Sequence, residues 1–415
     1  MTHASAVLSR SRFALRVCFA LALSISASAQ ATEAVVQTID GRTLRGALSF
    51  DGAKWQVGAD ALAFGDAMTI RVDEGALEVA KPAPYSVWLR SGAIVPCTRI
   101  DGVAADGKPP QLRIDGASGL AIEVPLAAVA ALRSRANDPQ TFVADRAAPD
   151  DNLDYLYVVK DGSPQRFSVL VDKVADGTLH FDLRGSAYEF AMHGDDSVAA
   201  VVFGKNTGFA PDRTADMRVQ VSLTGGELLF GSLLAIGDGS LRMRLDEGSE
   251  ARASITKVRS IDVVSDKLLW LSAIEPSKAE QTAAFDRVRP WTKDRSPEGA
   301  GIRLRSKTYA RGIVLAPRTK LTFDLGARYD VFECVAGLEE RSGPLANAIF
   351  RVYADGKLLW EATQDGAAAM PHELKLPITG CKELAIEADF GESFDLGDHC
   401  AFADARVLKS TGASK

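Results

Sequence analysis

Two groups of side chains in the last third of the sequence have types and spacing that suit chemistry. The first is acidic. Asp389, Glu392, Asp395, Asp398 and Asp404 gather around Gly391 and Gly397, with His399 among them. Dense oxygen ligands in a glycine-bearing loop suit a hard cation such as Ca2+, and Asp389, Asp395, Asp398 and Asp404 are the candidate ligands. The spacing is not that of an EF-hand, and a solvated acidic loop is the other reading. The second group is the loop-like RPWTKDRSPEGAG, which sets Trp291 beside Asp294 and Arg295. Such a set suits a sugar. A pyranose offers an apolar C–H face to an aromatic ring and a rim of hydroxyls to carboxylates, amides and Arg forks. Trp291 is the candidate platform; its alternative role is to pin this arm by packing. Trp360, at the end of a strand, reads as core.

Signatures of catalysis are missing elsewhere. Past the first 29 residues the histidines are His180, His193, His372 and His399, and none forms H-E-x-x-H or a Cys/His zinc pattern. No G-x-S-x-G elbow, P-loop or dinucleotide fingerprint occurs. A glycosidase needs two carboxylates about 5–10 Å apart, which a sequence neither shows nor forbids. No stretch resembles a catalytic barrel, so the expectation is a chain that is not an enzyme.

Residues 1–29 read as a secretory signal peptide. Arg10, Arg12 and Arg16 form a basic start, Val17 to Ile25 an apolar centre, and Ala27-Ser28-Ala29 a small-residue cleavage site. The apolar run is too short to span a bilayer, which takes about 20 residues. Cleavage would take the net charge from −6 to −9. Basic residues are scattered and form no stripe, which argues against nucleic acid as a partner. No later segment is long and apolar enough to cross a membrane, so a soluble product in a secreted, periplasmic or cell-envelope location is expected. Cys97, Cys334, Cys381 and Cys400 remain, either as disulfides in any of three pairings or as free buried thiols.

The elements that must position these groups read as strands. Glycine is frequent, with 35 residues in 415, and much of it lies in turn contexts beside Asp or Ser. Four segments share one pattern: strand, Gly turn, strand, a Gly-marked hairpin, then a short closing segment. They begin at QTIDGRTLRGALS, VWLRSGAIVPCTRI, YVVKDGSPQRFSVLV and VQVSLTGGELLFGSLLAI, which aligns Gly41, Gly92, Gly162 and Gly226. A unit of this size with one buried face can close into a small barrel or roll, which also removes exposed edges. Four such units are expected in series, at 33–80, 85–136, 153–204 and 217–265. Polar, Pro-bearing linkers separate them around 80–84, 134–152 and 204–216. Past Leu268 the texture changes. Ser277 and Glu280 have capping-box spacing, which fits a short helix or an extended arm, and Val352 to Leu359 reads as a hairpin around Asp355-Gly356.

The stretches TYARGIVLAPRTKLTFDLGARYDVFECVAGLEE, FRVYADGKLLWE, GCKELAIEADFGESFDLGDH and FADARV occur in the order and at the spacing of one known family. Residues 268–408 resemble the NPCBM domain, a carbohydrate-binding module first noticed beside family 98 glycosyl hydrolases. The resemblance implies a galactose-binding-like β-sandwich of jelly-roll type and a role in sugar binding. Two departures stand out. Phe402 occupies the place where the family usually has Trp, so the indole N–H is lost there. Arg341-Ser342-Gly343-Pro344 replaces an acidic, Gly-rich turn. His399 and Phe402 join Trp291, Asp294 and Arg295 as candidate sugar contacts.

The expected fold class is thus all-β, with tandem small barrels or rolls followed by a jelly-roll sandwich. The expected function is that of an exported, non-catalytic carbohydrate-binding protein whose partner is a glycan or polysaccharide, with the repeats as scaffold. The alternatives are a structural or protein-interaction module of an extracellular or envelope assembly, and a glycoside hydrolase with an unrecognised site.

Overall fold

The computed structural model describes residues 32–72, 83–103, 109–134, 141–160, 163–194, 197–282, 289–297, 301–343, 345–392 and 397–409. The 1–29 segment, Gly162, Pro344 and Asp395 lie outside the described residues. Among those described, one short helix, Phe142–Ala147, accompanies an otherwise all-β chain of antiparallel sheets. The alternation of the sequence explains this. In Ser240–Leu245, for example, Leu241, Met243 and Leu245 are buried while Arg242 and Arg244 are exposed.

The first unit shows the repeated plan. Strands Glu33–Thr38, Thr43–Phe50, Lys54–Val57 and Asp60–Ala63 form a meander. After a 3-10 turn at Phe64–Asp66, the closing strand Ala67–Val72 returns to pair with the opening one. The same pairing order recurs in 85–134, 154–202 and 218–263. One turn chemistry sets the register of three opening hairpins. Gly41, Gly92 and Gly226 have φ of +87°, +99° and +88°. Each donates its N–H to the carbonyl three residues back, on Thr38, Leu89 and Leu223. A side chain at such a φ would be strained, which explains the aligned glycines. Inside the first unit the fully buried Trp55 stacks on Phe64 at 5.6 Å and donates its indole N–H to the Phe64 carbonyl at 3.1 Å.

The units are not beads on a string. The closing strands of the first and fourth pair with each other, Ile70 opposite Ile261, and those of the second and third do likewise, Leu132 opposite Val201. A closing strand bonded on one side only would be an open edge, and pairing two such edges satisfies both. One apolar cluster consequently runs from Ala34 to Val263. The second and third units also meet backbone to backbone at Gly102, where a Cβ would fall on the Val174 carbonyl. The helix lies in the stretch read as a polar linker, held there because Phe142 is buried against Trp88 and Tyr157.

The last third is a two-sheet sandwich. One sheet orders Thr292–Lys293, Gly312–Leu315, Cys400–Leu408, Val331–Leu338 and His372–Pro377, with Leu268–Trp270 also pairing Cys400–Leu408. The other orders Lys278–Gln281, Thr319–Asp324, Glu383–Phe390, Asn347–Ala354 and Lys357–Asp365. The Asp355-Gly356 turn, both residues at positive φ, closes a two-residue hairpin. The segment after Ser277 is extended, not helical. It becomes the edge strand of this sheet, pairing with Thr319–Asp324, and the Ser277 hydroxyl donates to the Thr322 carbonyl instead of capping a helix. Cys97, Cys334, Cys381 and Cys400 are free and buried; burial pushes the Cys97 thiol up to about 12.

The sandwich docks on the repeats. Ile39 and Met68 of the first unit meet Leu268, Trp270 and Leu408 in an apolar cluster. Lys267 pairs with Asp66 at 2.6 Å, and Arg311 with Asp262 of the fourth unit at 3.1 Å.

Candidate functional site

The candidate residues on the arm are held by the sandwich itself. Trp291 is half-buried against the sandwich core, and the Lys293 ammonium lies 5.5 Å from the centre of its ring. Lys293 is fixed there by the Ile274 carbonyl at 2.6 Å and Glu275 at 2.8 Å. Asp294 adopts a left-handed φ of +57°, and its carboxylate accepts the Gly312 N–H at 2.9 Å. It lies 3.7 Å from Arg311, so it faces the junction with the repeats. Arg295 is exposed, and its carbonyl accepts from the Thr292 hydroxyl.

Phe402 is in the core. It is fully buried and meets Phe350 edge to face at 5.6 Å, so it has no face to offer a ligand. Its strand explains why. Residues alternate across Cys400–Leu408, and the Phe402 face is the one between the two sheets.

The candidate cation ligands are scattered. Asp389 faces Arg351 at 3.3 Å, and its other oxygen accepts the Phe390 N–H. Asp398 is fully buried in the turn before Cys400. Asp404 sits within the strand Cys400–Leu408, on the face turned toward the repeats. These three carboxylates do not make a common cage, and no group of three His, Cys, Asp or Glu among the described residues is arranged to hold a metal ion.

What the fold does bring together is the loop end of the sandwich. Glu339, fully buried at the end of Val331–Leu338, accepts from the Ser296 hydroxyl at 2.9 Å. The His399 ring nitrogen Nδ1 lies 3.5 Å from the same Glu339 oxygen. The Ser342 hydroxyl accepts the His399 N–H at 3.2 Å. The arm carrying Arg295 and the turn carrying His399 therefore meet through Glu339. Next to this support opens a cleft of about 600 Å³, lined by Arg305, Ser306, Glu340, Ser342 and the Gly366–Ala368 turn. Glu340 is held by Arg303 at 3.0 Å and by the Ser306 N–H at 3.4 Å. Arg305 and Ser306 form a tight turn at φ +46° and +49°, unusual for residues with side chains, and the Arg305 guanidinium contacts the Met370 sulfur. The cleft thus offers a carboxylate acceptor, a guanidinium donor and two hydroxyls, with alanine methyls as its apolar part.

By type and spacing alone, Glu340, Arg305, Ser306 and Ser342 do not stand out in the sequence as contacts. The altered turn at 341–344 was the signal nearest to them. The rest depends on a hairpin, Ile302–Leu304 with Lys307–Tyr309, folding over the end of the sandwich.

Residues 267–408 match the NPCBM/NEW2 domain family, in agreement with the resemblance read from the sequence. Among solved structures, the chain is similar to the CBM51 module of Clostridium perfringens GH95 in complex with methyl-galactose. Identity is 25%, coverage 34% of this chain and 99% of that one, and the TM-score 0.31. It is similar also to the CBM51-2 and INT domains of Clostridium perfringens ZmpB, at 21% identity, 46% and 40% coverage and a TM-score of 0.32. The tandem CBM51 modules of Sp3GH98, a family 98 glycoside hydrolase of Streptococcus pneumoniae, match at 13% identity, 78% and 88% coverage and a TM-score of 0.31. None of the curated proteins matches this sequence.

Proposed function

We propose that the chain is an exported, non-catalytic carbohydrate-binding protein whose NPCBM/NEW2 domain holds a glycan in the cleft at its loop end. The observation that carries this reading is the lining of that cleft. Glu340, Arg305, Ser306 and Ser342 set acceptors and donors around one opening of about 600 Å³, the pattern that reads a rim of hydroxyls. Buried Glu339, Ser296 and His399 stiffen the wall from behind. The match of residues 267–408 to the NPCBM/NEW2 family adds support, since the resemblance to that domain implies sugar binding.

A non-catalytic role is favoured because Glu340 is the single carboxylate among the described lining residues, and it is already engaged by Arg303. Glycoside hydrolysis ordinarily takes two carboxylates. Export rests on the basic, apolar and small-residue pattern of residues 1–29. A second reading, in which the repeats dock an extracellular or envelope protein, draws on Leu170 and Tyr188, which stand half exposed on the third unit.

The test is retention of the full chain on a glycan array and on insoluble polysaccharides, with and without added Ca2+. Specific retention of one sugar class supports the proposal. Folded protein that is retained by none of them overturns it.

A further inference from the structure

We infer that the glycan site is a groove and not a closed pocket: it continues from the loop-end cleft into a second cleft at the junction, where the first repeat unit supplies one wall. This rests on the glycan reading above. The second cleft, of about 410 Å³, lies over the strands Val331–Leu338, His372–Pro377 and Cys400–Leu408, and Gln37 of the first unit closes one side. The two clefts are neighbours along the chain at two places. Ser306 lines one and Lys307 the other, and consecutive Cα atoms are about 3.8 Å apart. On the opposite wall, Ala367 and Ala368 line the first, and Glu373 and Leu374 the second. Met370 lies between those pairs in sequence, is largely exposed, and touches Arg305, which lines the first cleft.

The chemistry of the junction cleft suits a neutral polyhydroxylated ligand. Lys307, Lys375 and Arg406 are balanced there by Glu333, Glu373 and Asp404, so neither a free anion nor a free cation is favoured. Glu333 is already engaged by Arg406 at 2.7 Å and Lys375 at 2.9 Å. Asp404 is different. It sits at a bulge where the pairing of Val331–Leu338 with Cys400–Leu408 slips, at a φ of +48°. No described residue donates a hydrogen bond to its carboxylate, although Arg406, Arg71 and Lys307 attract it and Asp262 repels it. Burial, the largest influence on it, raises its pKa. A half-buried carboxylate held on strained backbone at a bulge, facing a polar cleft with acceptor capacity unused, is placed to take sugar hydroxyls. Gln37, an exposed amide opposite, offers both a donor and an acceptor. The repeats are then part of the binding surface and not only a scaffold, and the ligand is an extended oligosaccharide recognised along its length.

The experiment is calorimetric titration of the full chain with glucose, galactose and N-acetylglucosamine oligomers, each series running from monosaccharide to hexasaccharide. The wild type, Asp404→Asn and Gln37→Ala are compared, with circular dichroism as the control for folding. The expected result is affinity that climbs with oligomer length in the wild type, and a gain with length that shrinks about tenfold in Asp404→Asn and several-fold in Gln37→Ala. Wild-type binding that is the same for short and long oligomers overturns the groove and leaves the loop-end site standing. A gain with length that survives both substitutions does the same. Failure of the wild type to bind any glycan, on these series and on the array, overturns both readings.

Discussion

Arg311 of the sandwich donates to Asp262 of the fourth repeat unit at 3.1 Å, and Asp262 also accepts from the Thr69 hydroxyl of the first unit at 2.9 Å. One carboxylate therefore ties three parts of the molecule together. Both partners of the ion pair are largely shielded, at 12% and 14% exposure, so the pair is little screened by salt. Truncating either side leaves the other charge poorly solvated.

Asp262→Ala is accordingly expected to cost about 2 kcal/mol, below the penalty for a fully buried pair. Arg311→Met should cost a similar amount, and the double variant less than the sum of the two. Chemical denaturation of the four proteins measures this. Additive losses would mean that the two residues do not cooperate across the junction.

Phe402 separates packing from binding. It fills the space between the two sheets against Phe350, so Phe402→Ala is expected to lose about 3–4 kcal/mol. Phe402→Trp, which restores the residue usual in the family, should lose about 1–3 kcal/mol from overpacking. Thermal unfolding followed by circular dichroism decides. If neither substitution changed stability and the alanine variant lost glycan affinity, the ring would have to face the ligand and not the core.

Glu247 gives the repeats a pH dependence of predictable sign. It is 5% exposed, and burial raises its pKa above the ordinary glutamate value, with Asp246 adding to the effect and Ser91 opposing it. The folded chain therefore holds this proton more tightly than the unfolded chain. The stability that comes with the neutral form is present below the unfolded pKa and is lost as pH rises through the folded one. Glu247→Gln, which stays neutral, should melt higher than the wild type near neutral pH and show no such advantage below the glutamate range. Paired melting curves at the two pH values check this; an advantage of equal size at both would contradict it.

Local chemistry was the legible part of this sequence. Gly41, Gly92 and Gly226 announce their turns because a left-handed φ excludes most side chains. Alternation marks which face of Ser240–Leu245 is buried. The family resemblance located the sandwich to within a residue or so at its start. What could not be read was pairing between distant strands. Nothing near Ile70 indicates that Ile261 lies opposite, because both simply read as buried strand residues. The proposed loop-end cleft is not legible in the sequence for the same reason. Trp291 has the residue type of a sugar platform but packs half-buried on the core beside Lys293, and the candidate contact Phe402 is enclosed. Glu340, Arg305 and Ser342 come together only once three loops fold to one end.

The most direct test is titration of the full chain with its best array ligand, wild type against Glu340→Gln. This exchange keeps the shape of the side chain and removes its charge. The expected result is a fall in affinity of about tenfold with no change in melting temperature. Equal affinity in the two proteins would contradict a glycan site at the loop end of the sandwich.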